Sequence, residues 1–401
     1  PSMELRRSQR RNLSDQVGRP MTMIYTPTIQ PPKNAPQLAI TRRTRSTPFS
    51  SRVEDFGVQA YTIYNHMLLP TRIRGVEEDY FHLRSKVQLW DVSCQRQVEL
   101  RGPDAARLAQ LMTVRDLRKL EIGRCALAPV CDQDGFLLND PVAIRVAEDR
   151  FWFSISDLDI LLWAQGIALG MKLDVQIFEP EIWPLAVQGP KAEDVVVAVF
   201  GEAVRKTKFF RFDNLEFRGH KFLVARSGWS AQGGFEIYVD NAAIGLQLYD
   251  ALAEAGKQFD IGPGCPNLIE RIEAGLMTYG SDITRADTPL EAAMEQYVSL
   301  DADIEAIGLN AIRAVAERGI DRRVCGLTID GPKVPVNRNP WPVKVNGKQI
   351  GSVTSAVWSP RLETNVSLGQ LAIDYTAVGT QVTVQTPDGE FTAKVSQVPF
   401  P

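Results

Sequence analysis

The 401-residue sequence lacks most of the motifs that assign a function directly. No GxGxxG follows a strand-like run and no GxxxxGK[ST] occurs, so the dinucleotide-binding and P-loop classes have no support. There is no GxSxG elbow, which removes the usual signature of an α/β-hydrolase nucleophile. Only three histidines are present, none at ligand spacing, and a histidine-based metal site is therefore not expected.

Cysteine pairs, an excess of one charge and long apolar runs are also missing. The five cysteines form no CxxC pair and are odd in number, which predicts reduced, buried thiols in a cytoplasmic protein. A formal net charge of −3 provides no electrostatic footprint for nucleic acid. No stretch approaches the roughly 20 apolar residues of a membrane-spanning helix. We therefore expect a soluble protein with neither a nucleic-acid nor a membrane partner.

The first fifty residues differ in composition from the rest. They contain RRSQRR, PPK and TRRTR with almost no acidic residues, which predicts a disordered basic arm over residues 1–50. An arginine-rich, acid-poor start also resembles an organelle transit peptide. Because Met21 and Met23 are plausible starts, we favour extra upstream residues over a targeting signal and expect no chemistry from the arm.

The remaining residues have the pattern of an α+β protein with an internal repeat. VELRGPDAARLAQLM (98–112) and LAVQGPKAEDVVVAVF (185–200) each predict a short strand, a Gly-Pro turn and an amphipathic helix. From about residue 324, short alternating runs with NG and DG turns predict a small β-barrel or sandwich. We expect one α+β module over 51–180, a second over 181–323 and a C-terminal β domain over 324–401.

The stretch SGWSAQGGFEIY (227–238) combines a tryptophan, paired glycines, a glutamate and a tyrosine. Alternation in its strand places Glu236 and Tyr238 on one face, with Phe235 and Ile237 on the other. The glycines would let a flat heterocycle approach the backbone, where the carboxylate could bind its N–H and amino groups. The competing interpretation, which the stretch taken alone favours, is a tight hairpin with a solvated Glu236 and a core Tyr238.

Several motifs, in order from about residue 56 to the C-terminus, resemble the folate-dependent aminomethyltransferase family, typified by the T protein of the glycine cleavage system. The motifs are ELRGPDA, DGFLLNDPV, LAVQGPKA, SGWSAQGGFEIY, RIEAGLMTYGSDITRADTPLEA, IGLNAI and IGSVTSAVWSP. The resemblance implies three domains around a central opening for tetrahydrofolate: two duplicated α+β modules, the second with the folate-binding strand, and a C-terminal β-barrel domain. Within the family, YTIYNHMLLPT and GCPNLIERIEAGL are most similar to the branch that demethylates dimethylsulfoniopropionate.

The resemblance also implies roles for individual residues on the folate side. Glu236 matches the carboxylate that binds the pterin, and Trp229 and Tyr238 would supply flat walls of the tetrahydrofolate site. The Asp140 of NDP matches the carboxylate near the reacting folate nitrogen and is the predicted catalytic residue. A strand-end Asp before Pro is otherwise a common turn former.

On the substrate side, Tyr64 and His66 match the segment that lines the donor pocket. Trp229 could contribute there as well, through a cation–π contact with an onium donor. Arg271 and Glu273 of RIEAG are expected to fix a domain interface through partnered charges.

Together these features predict an enzyme, a tetrahydrofolate-dependent methyltransferase. It would move a methyl group from a small onium zwitterion such as dimethylsulfoniopropionate to N5 of tetrahydrofolate, giving methylthiopropionate and 5-methyltetrahydrofolate. Ala126 and Leu127 stand where the demethylase branch has an aromatic pair, so the donor stays open. The alternatives are an aminomethyltransferase of the glycine-cleavage type with an amine donor, or a non-catalytic folate-binding protein.

Overall fold

The computed structural model describes residues 40–401, and most of the predicted basic arm lies outside the described residues. The last residues of that arm are packed rather than disordered. Phe49 is fully buried, and the backbone N–H of Arg45 donates to the His66 carbonyl at 2.7 Å. The Thr47 hydroxyl also donates to the buried Asp91 carboxylate at 2.5 Å. One buried aromatic side chain therefore anchors the end of the basic run, and the boundary at residue 50 stays a prediction.

The described residues form eight α-helices and 21 strands. The helices are α1 (Ser50–Asp55), α2 (Val76–Ser85), α3 (Ala105–Met112), α4 (Leu161–Met171), α5 (Ala192–Phe200), α6 (Ala242–Gly256), α7 (Leu268–Ala274) and α8 (Leu309–Arg318). The strands are β1 (Ala60–Tyr64), β2 (Met67–Arg72), β3 (Val87–Asp91), β4 (Gln97–Arg101), β5 (Cys125–Leu127), β6 (Val130–Cys131), β7 (Leu137–Asn139), β8 (Val142–Ala147), β9 (Arg150–Ser154), β10 (Gln176–Phe178), β11 (Trp183–Gln188), β12 (Phe212–Phe217), β13 (His220–Ala225), β14 (Gly234–Val239), β15 (Ile261–Pro263), β16 (Arg322–Ile329), β17 (Trp341–Val345), β18 (Lys348–Ser359), β19 (Thr364–Ala372), β20 (Gln381–Thr386) and β21 (Gly389–Ser396).

One antiparallel sheet of five strands contains the first copy of the internal repeat. Its strand order is β10-β4-β9-β8-β5, so β5 lies at an edge. Leu108 of α3 and Ile167 of α4 pack with Leu100 of β4 and Phe153 of β9 in one apolar cluster. The predicted strand, Gly-Pro turn and helix over 98–112 are therefore confirmed as β4 followed by α3.

A second sheet has six strands in the order β12-β13-β14-β11-β3-β15. The second copy of the repeat is confirmed here as β11 followed by α5, and α5 and α6 bury one face of the sheet. Strand β3 belongs to this sheet through antiparallel pairing with β11, although it precedes the whole five-stranded sheet in sequence. The five residues of β3 are buried and need this central position between strands, and the division at residue 180 stays a prediction.

The C-terminal strands close into a six-stranded barrel in the order β16-β19-β18-β17-β20-β21, so the predicted β-barrel domain is confirmed. Helix α7 attaches the body to this barrel. Arg271 pairs with Asp282 at 2.8 Å and its Nη2 donates to Ser355 of β18 at 2.7 Å. Glu273 accepts from the hydroxyl of Ser359, also on β18, at 2.5 Å. The predicted interface role of Arg271 and Glu273 is confirmed.

Three general features bear on function. All five cysteines are free, and four of them are buried. No helix in residues 40–401 combines the length and the apolar character needed to cross a bilayer. The same residues hold no group of three or more His, Cys, Asp or Glu side chains arranged to bind a metal ion.

Candidate active site

Asp140 lies in the connection between β7 and β8, next to the loop that follows β9. Its Oδ1 accepts a short hydrogen bond from the Ser156 hydroxyl. Burial raises the pKa of Asp140 to about 6, and the bond from Ser156 opposes that rise. Buried Asn139 holds the loop in place: its Oδ1 accepts from Ser156 N at 3.0 Å, and its Nδ2 donates to Leu158 O at 2.8 Å. Asn139 therefore positions the hydroxyl that serves Asp140.

The β1–β2 hairpin brings Tyr64 to Asp140. The strands are joined by a two-residue turn in which Asn65 and His66 have positive φ angles of 48° and 63°. Asn65 Nδ2 donates to the Ser156 carbonyl at 2.9 Å, so the hairpin tip rests on the loop beside Asp140. Burial raises the pKa of Tyr64, and the negative charge of Asp140 raises it further.

His66 and Asn65 differ in how they contact the site. The His66 side chain is exposed at the turn, and its substrate-binding role stays a prediction. Asn65, which the sequence did not single out, is buried and makes three bonds. Besides the bond to Ser156, its backbone N–H donates to Asp157 Oδ1 at 2.7 Å and its Nδ2 donates to the Cys94 carbonyl at 3.0 Å. The residue that orients this segment is therefore Asn65.

Glu236 lies in the interior of the six-stranded sheet, on β14. The residues directly opposite it on β11 and β13 are Ala186 and Ala225, whose small side chains leave room around the carboxylate. Only 8% of Glu236 is exposed, and burial raises the pKa of its carboxyl. Ser227 Oγ donates to its Oε2 at 2.5 Å. No second donor among residues 40–401 reaches this carboxylate, so it retains acceptor capacity for a ligand.

Tyr238 shares the strand face of Glu236, as the alternation predicted. Phe235 and Ile237 join the opposite, helix-covered core. The Tyr238 ring packs on Trp152 of β9, with centroids 5.7 Å apart and an interplanar angle of 41°. It therefore lies between the two sheets, as in the hairpin interpretation, and its role as a wall of the folate site stays a prediction. The same interpretation predicted a solvated Glu236, and this is wrong because the carboxylate is buried.

The glycines of the 227–238 stretch accommodate a protein side chain. Gly228 and Gly234 have φ angles of 154° and 151°, and a Cβ on either would lie 2.1 Å or 2.5 Å from Gln188 Nε2. The buried Gln188 carboxamide in turn donates to the Ser227 carbonyl at 3.1 Å. Gln188 therefore fills the space beside Gly228 and Gly234, whereas Gly233 has no atom within 4 Å of an added Cβ, and the approach of a flat ligand to these glycines stays a prediction. Trp229 is half-buried on the same loop, and both of its assigned roles stay predictions.

Strand β5 connects the two carboxylate sites. At its start, burial and the nearby Glu236 carboxylate raise the pKa of Cys125 to about 12. Just beyond its end, Ala128 N donates to the Pro141 carbonyl at 2.9 Å, next to Asp140. One end of this strand therefore has a carboxyl that titrates near neutral pH, and the other has a buried acceptor. Such a pair suits proton transfer at one end and ligand recognition at the other.

Two serines that no sequence motif singled out donate hydrogen bonds to the two carboxylates. Ser227 is the first residue of the quoted stretch, and Ser156 ends the run FWFSIS. Serine is common in loops, and no local pattern separates a serine bound to a carboxylate from one bound to water. Both serines lie in loops outside the strands, and only the tertiary fold brings each hydroxyl to its carboxylate.

The sequence matches two protein-family models. The GCVT N-terminal domain matches residues 51–302, and the glycine cleavage T-protein C-terminal barrel domain matches residues 322–400. Together they cover the α+β body and the barrel.

Individual proteins are similar over most of their length. The chain is 46% identical over 348 residues to dimethylsulfoniopropionate demethylase DmdA of Ruegeria pomeroyi, covering 87% of this chain and 95% of that one. It is 32% identical to an aminomethyltransferase of Symbiobacterium thermophilum, covering 83% of this chain and 91% of that one. The crystal structure of the glycine cleavage system aminomethyltransferase T from Bartonella henselae superposes with a TM-score of 0.80 at 23% identity, covering 89% and 98% of the two chains. That similarity supports the predicted three-domain fold.

Proposed function

The chain belongs to the glycine cleavage T-protein family, and on that basis we propose that it is a tetrahydrofolate-dependent methyltransferase acting on dimethylsulfoniopropionate. The donor follows from the 46% identity to a dimethylsulfoniopropionate demethylase, against 32% to an aminomethyltransferase over a similar length. The products would be methylthiopropionate and 5-methyltetrahydrofolate. The predicted cytoplasmic location is part of the same proposal.

Glu236 fits the pterin of tetrahydrofolate. When bound, tetrahydrofolate supplies the nitrogen that accepts the methyl group. Glu236 is a buried carboxylate that receives one hydrogen bond, from Ser227, and has alanines on both neighbouring strands. A buried acceptor with spare lone pairs suits a ligand edge that presents an amino group beside a ring N–H, because a carboxylate can accept both in parallel. Trp229 would border this ligand from the half-buried loop above β14.

Asp140 is suited to accept the proton that the reaction releases. Methyl transfer from a sulfonium breaks a C–S bond and leaves the electron pair on sulfur, so the thioether product needs no proton. The accepting N–H group loses its proton, which requires a base. Ser156 binds Asp140 Oδ1, which leaves Oδ2 to take that proton. A carboxyl with a pKa of about 6 is about nine-tenths ionised at pH 7, and therefore able to accept it.

The donor needs positioning more than activation. A sulfonium methyl is already activated by the positive sulfur, so alignment with the acceptor should dominate the rate enhancement. Tyr64 lies beside Asp140 and would border the donor, as would His66 at the exposed hairpin turn and Trp229 on the half-buried loop before β14. An aromatic face in contact with the sulfonium contributes on the order of 0.5 to 2 kcal/mol.

The test is an anaerobic incubation of the purified protein with tetrahydrofolate and dimethylsulfoniopropionate, followed by mass spectrometry. We expect methylthiopropionate and 5-methyltetrahydrofolate to appear in equal amounts. A parallel incubation with an aminomethyl-lipoyl carrier protein tests the glycine-cleavage alternative, in which ammonia and methylenetetrahydrofolate appear instead. If both incubations yield no product while tetrahydrofolate still binds, the protein is a folate-binding protein and the methyltransferase proposal is wrong.

A further inference from the structure

Arg115 is a half-buried arginine that pairs with no carboxylate in the described structure. Its Nη1 donates to the Leu127 carbonyl at 2.7 Å, and its Cζ lies 5.4 Å from the centroid of the Tyr297 ring. A guanidinium has five N–H donors. Within residues 40–401, the Leu127 carbonyl accepts the only hydrogen bond from the Arg115 side chain, and no carboxylate lies within ion-pair distance of it. Most of its donor capacity is therefore unused.

Several other half-buried arginines of this chain have an ion-pair partner or several hydrogen-bond acceptors. Arg74 pairs with Asp79 at 2.6 Å, and Arg322 pairs with Asp287 at 2.9 Å. Arg313 has no carboxylate, but its side chain donates to three oxygens, those of the Leu300 and Ala302 carbonyls and the Asn310 side chain. The Arg115 nitrogens that make no hydrogen bond are not buried, so they stay open to solvent and to a ligand.

A second arginine adds positive charge near Arg115. Burial lowers the pKa of Arg115, and the nearby charge of Arg124 lowers it further. The carboxylate near Arg124, Glu121, pairs with Arg211 at 2.7 Å. Arg124 is exposed and directly precedes β5, whose last residue Arg115 contacts, so the positive charge along this strand favours a nearby anion.

The position of Arg115 links it to the candidate active site. Its hydrogen bond goes to the last residue of β5, the strand that runs from the Glu236 end of the site to the Asp140 end. Leu127 pairs with Val142 of β8, two residues beyond Asp140. Strand β5 is at the sheet edge. At its start Cys125 N donates to the Phe210 carbonyl at 2.9 Å, whereas at its end the Leu127 carbonyl accepts from Arg115. A ligand that reaches the Leu127 end of this edge would meet the Arg115 guanidinium.

We propose that Arg115, assisted by Arg124, binds a carboxylate of a substrate held in this site. Arginine is suited to this role because its planar fork matches the two oxygens of a carboxylate. The proposal rests on the proposed function, whose two substrates both have the required group: the carboxylate of the propionate donor and the glutamate carboxylates of tetrahydrofolate. The shared chemistry is a carboxylate, and the experiment separates the two sources.

The experiment compares each substrate with a relative that lacks the carboxylate. Dissociation constants are measured by calorimetry for tetrahydrofolate and tetrahydropteroate, and for dimethylsulfoniopropionate and dimethylpropylsulfonium, with the wild type and with Arg115→Gln. We expect the variant to bind one of the two carboxylate ligands about tenfold to a hundredfold more weakly and to bind its truncated relative as the wild type does. Arg115→Lys keeps the charge but not the fork, and should lose less affinity. Arg72→Gln removes an exposed charge from β2 and serves as the matched control.

The pattern of losses assigns the source of the carboxylate. If only the affinity for tetrahydrofolate falls, Arg115 binds its glutamate. If only the affinity for dimethylsulfoniopropionate falls, Arg115 binds the carboxylate of the donor. Equal weakening of full and truncated ligands would show a structural role and overturn the proposal, as would unchanged affinity for all four. If Arg115→Gln does not fold, the same comparison is made with Arg115→Lys. Because only binding is read here, failure of the methyltransferase proposal appears separately, in the absence of product in the incubations.

Discussion

The hydroxyl of Ser156 should determine the pH at which this enzyme becomes active. It donates to Oδ1 of Asp140 and opposes the rise in pKa that burial causes. A hydrogen bond to an ionised group is worth about 1.5 to 3 kcal/mol, and one pKa unit corresponds to about 1.4 kcal/mol. In Ser156→Ala, the pKa of Asp140 should therefore rise by one to two units, from about 6 to between about 7 and 8.

The expected kinetic effect follows from the ionised fraction of Asp140. At pH 7 that fraction falls from about nine-tenths to between about one-half and one-tenth, so kcat/KM should fall roughly twofold to tenfold. Near pH 9 the variant and the wild type should converge, because both are then ionised. The assay is a pH profile of kcat/KM for methylthiopropionate release between pH 5 and pH 9.

Ser227→Ala is the matched control, since it removes the same group from beside the other buried carboxylate. It should weaken tetrahydrofolate binding without moving the acid limb that Asp140 sets. An acid limb of Ser156→Ala that coincides with that of the wild type would refute the assignment of Asp140 as the base.

Three further outcomes follow from the same contacts. Glu236→Ala should raise the dissociation constant of tetrahydrofolate by about tenfold or more in a calorimetric titration without unfolding the protein; unchanged affinity would contradict the pterin assignment. Asn65→Ala removes the side-chain bonds that hold the hairpin tip on Ser156 and Cys94, so kcat should fall more than folate affinity; equal loss of both would point to a general loss of structure instead. Because burial raises the pKa of Asp140 from 3.8 to about 6, its contribution to stability is present at low pH and lost as the pH rises through 6. The free energy of unfolding of Asp140→Asn in urea should therefore exceed that of the wild type by about 3 kcal/mol at pH 8. This difference should become smaller toward pH 5. A difference that does not change with pH would exclude this cause.

Local sequence patterns were sufficient for the elements of the fold. The two Gly-Pro units formed as predicted because each strand and helix has its own hydrophobic period, and those periods do not depend on distant residues. Alternation also predicted correctly that Glu236 and Tyr238 share a strand face. The barrel followed from short alternating runs joined by NG and DG turns, which are local hairpin signals.

Patterns were insufficient wherever a residue far along the chain decided the outcome. Nothing in VQLWD indicates that β3 joins a sheet whose other strands follow some 90 residues or more later. The glycines of the 227–238 stretch suggested room for a ligand, and only the structure shows that the Gln188 carboxamide fills the place of a side chain at Gly228 and Gly234. Asn65 could not be distinguished from an ordinary turn residue until its amide was seen to bond with the Ser156 and Cys94 carbonyls.

The sequence by itself determined the two strand-turn-helix units, the C-terminal β domain and the family, because each depends on residue type and spacing along one segment; it also pointed to Asp140 and Glu236 as candidates, whose roles stay predictions. Only the tertiary structure decided that Glu236 is buried between alanines, that Tyr238 packs between the sheets and that Asp140 titrates near pH 6. The reason is physical: a pKa and a binding surface depend on desolvation and on neighbours brought together by packing, and these are properties of surroundings assembled from separate parts of the chain.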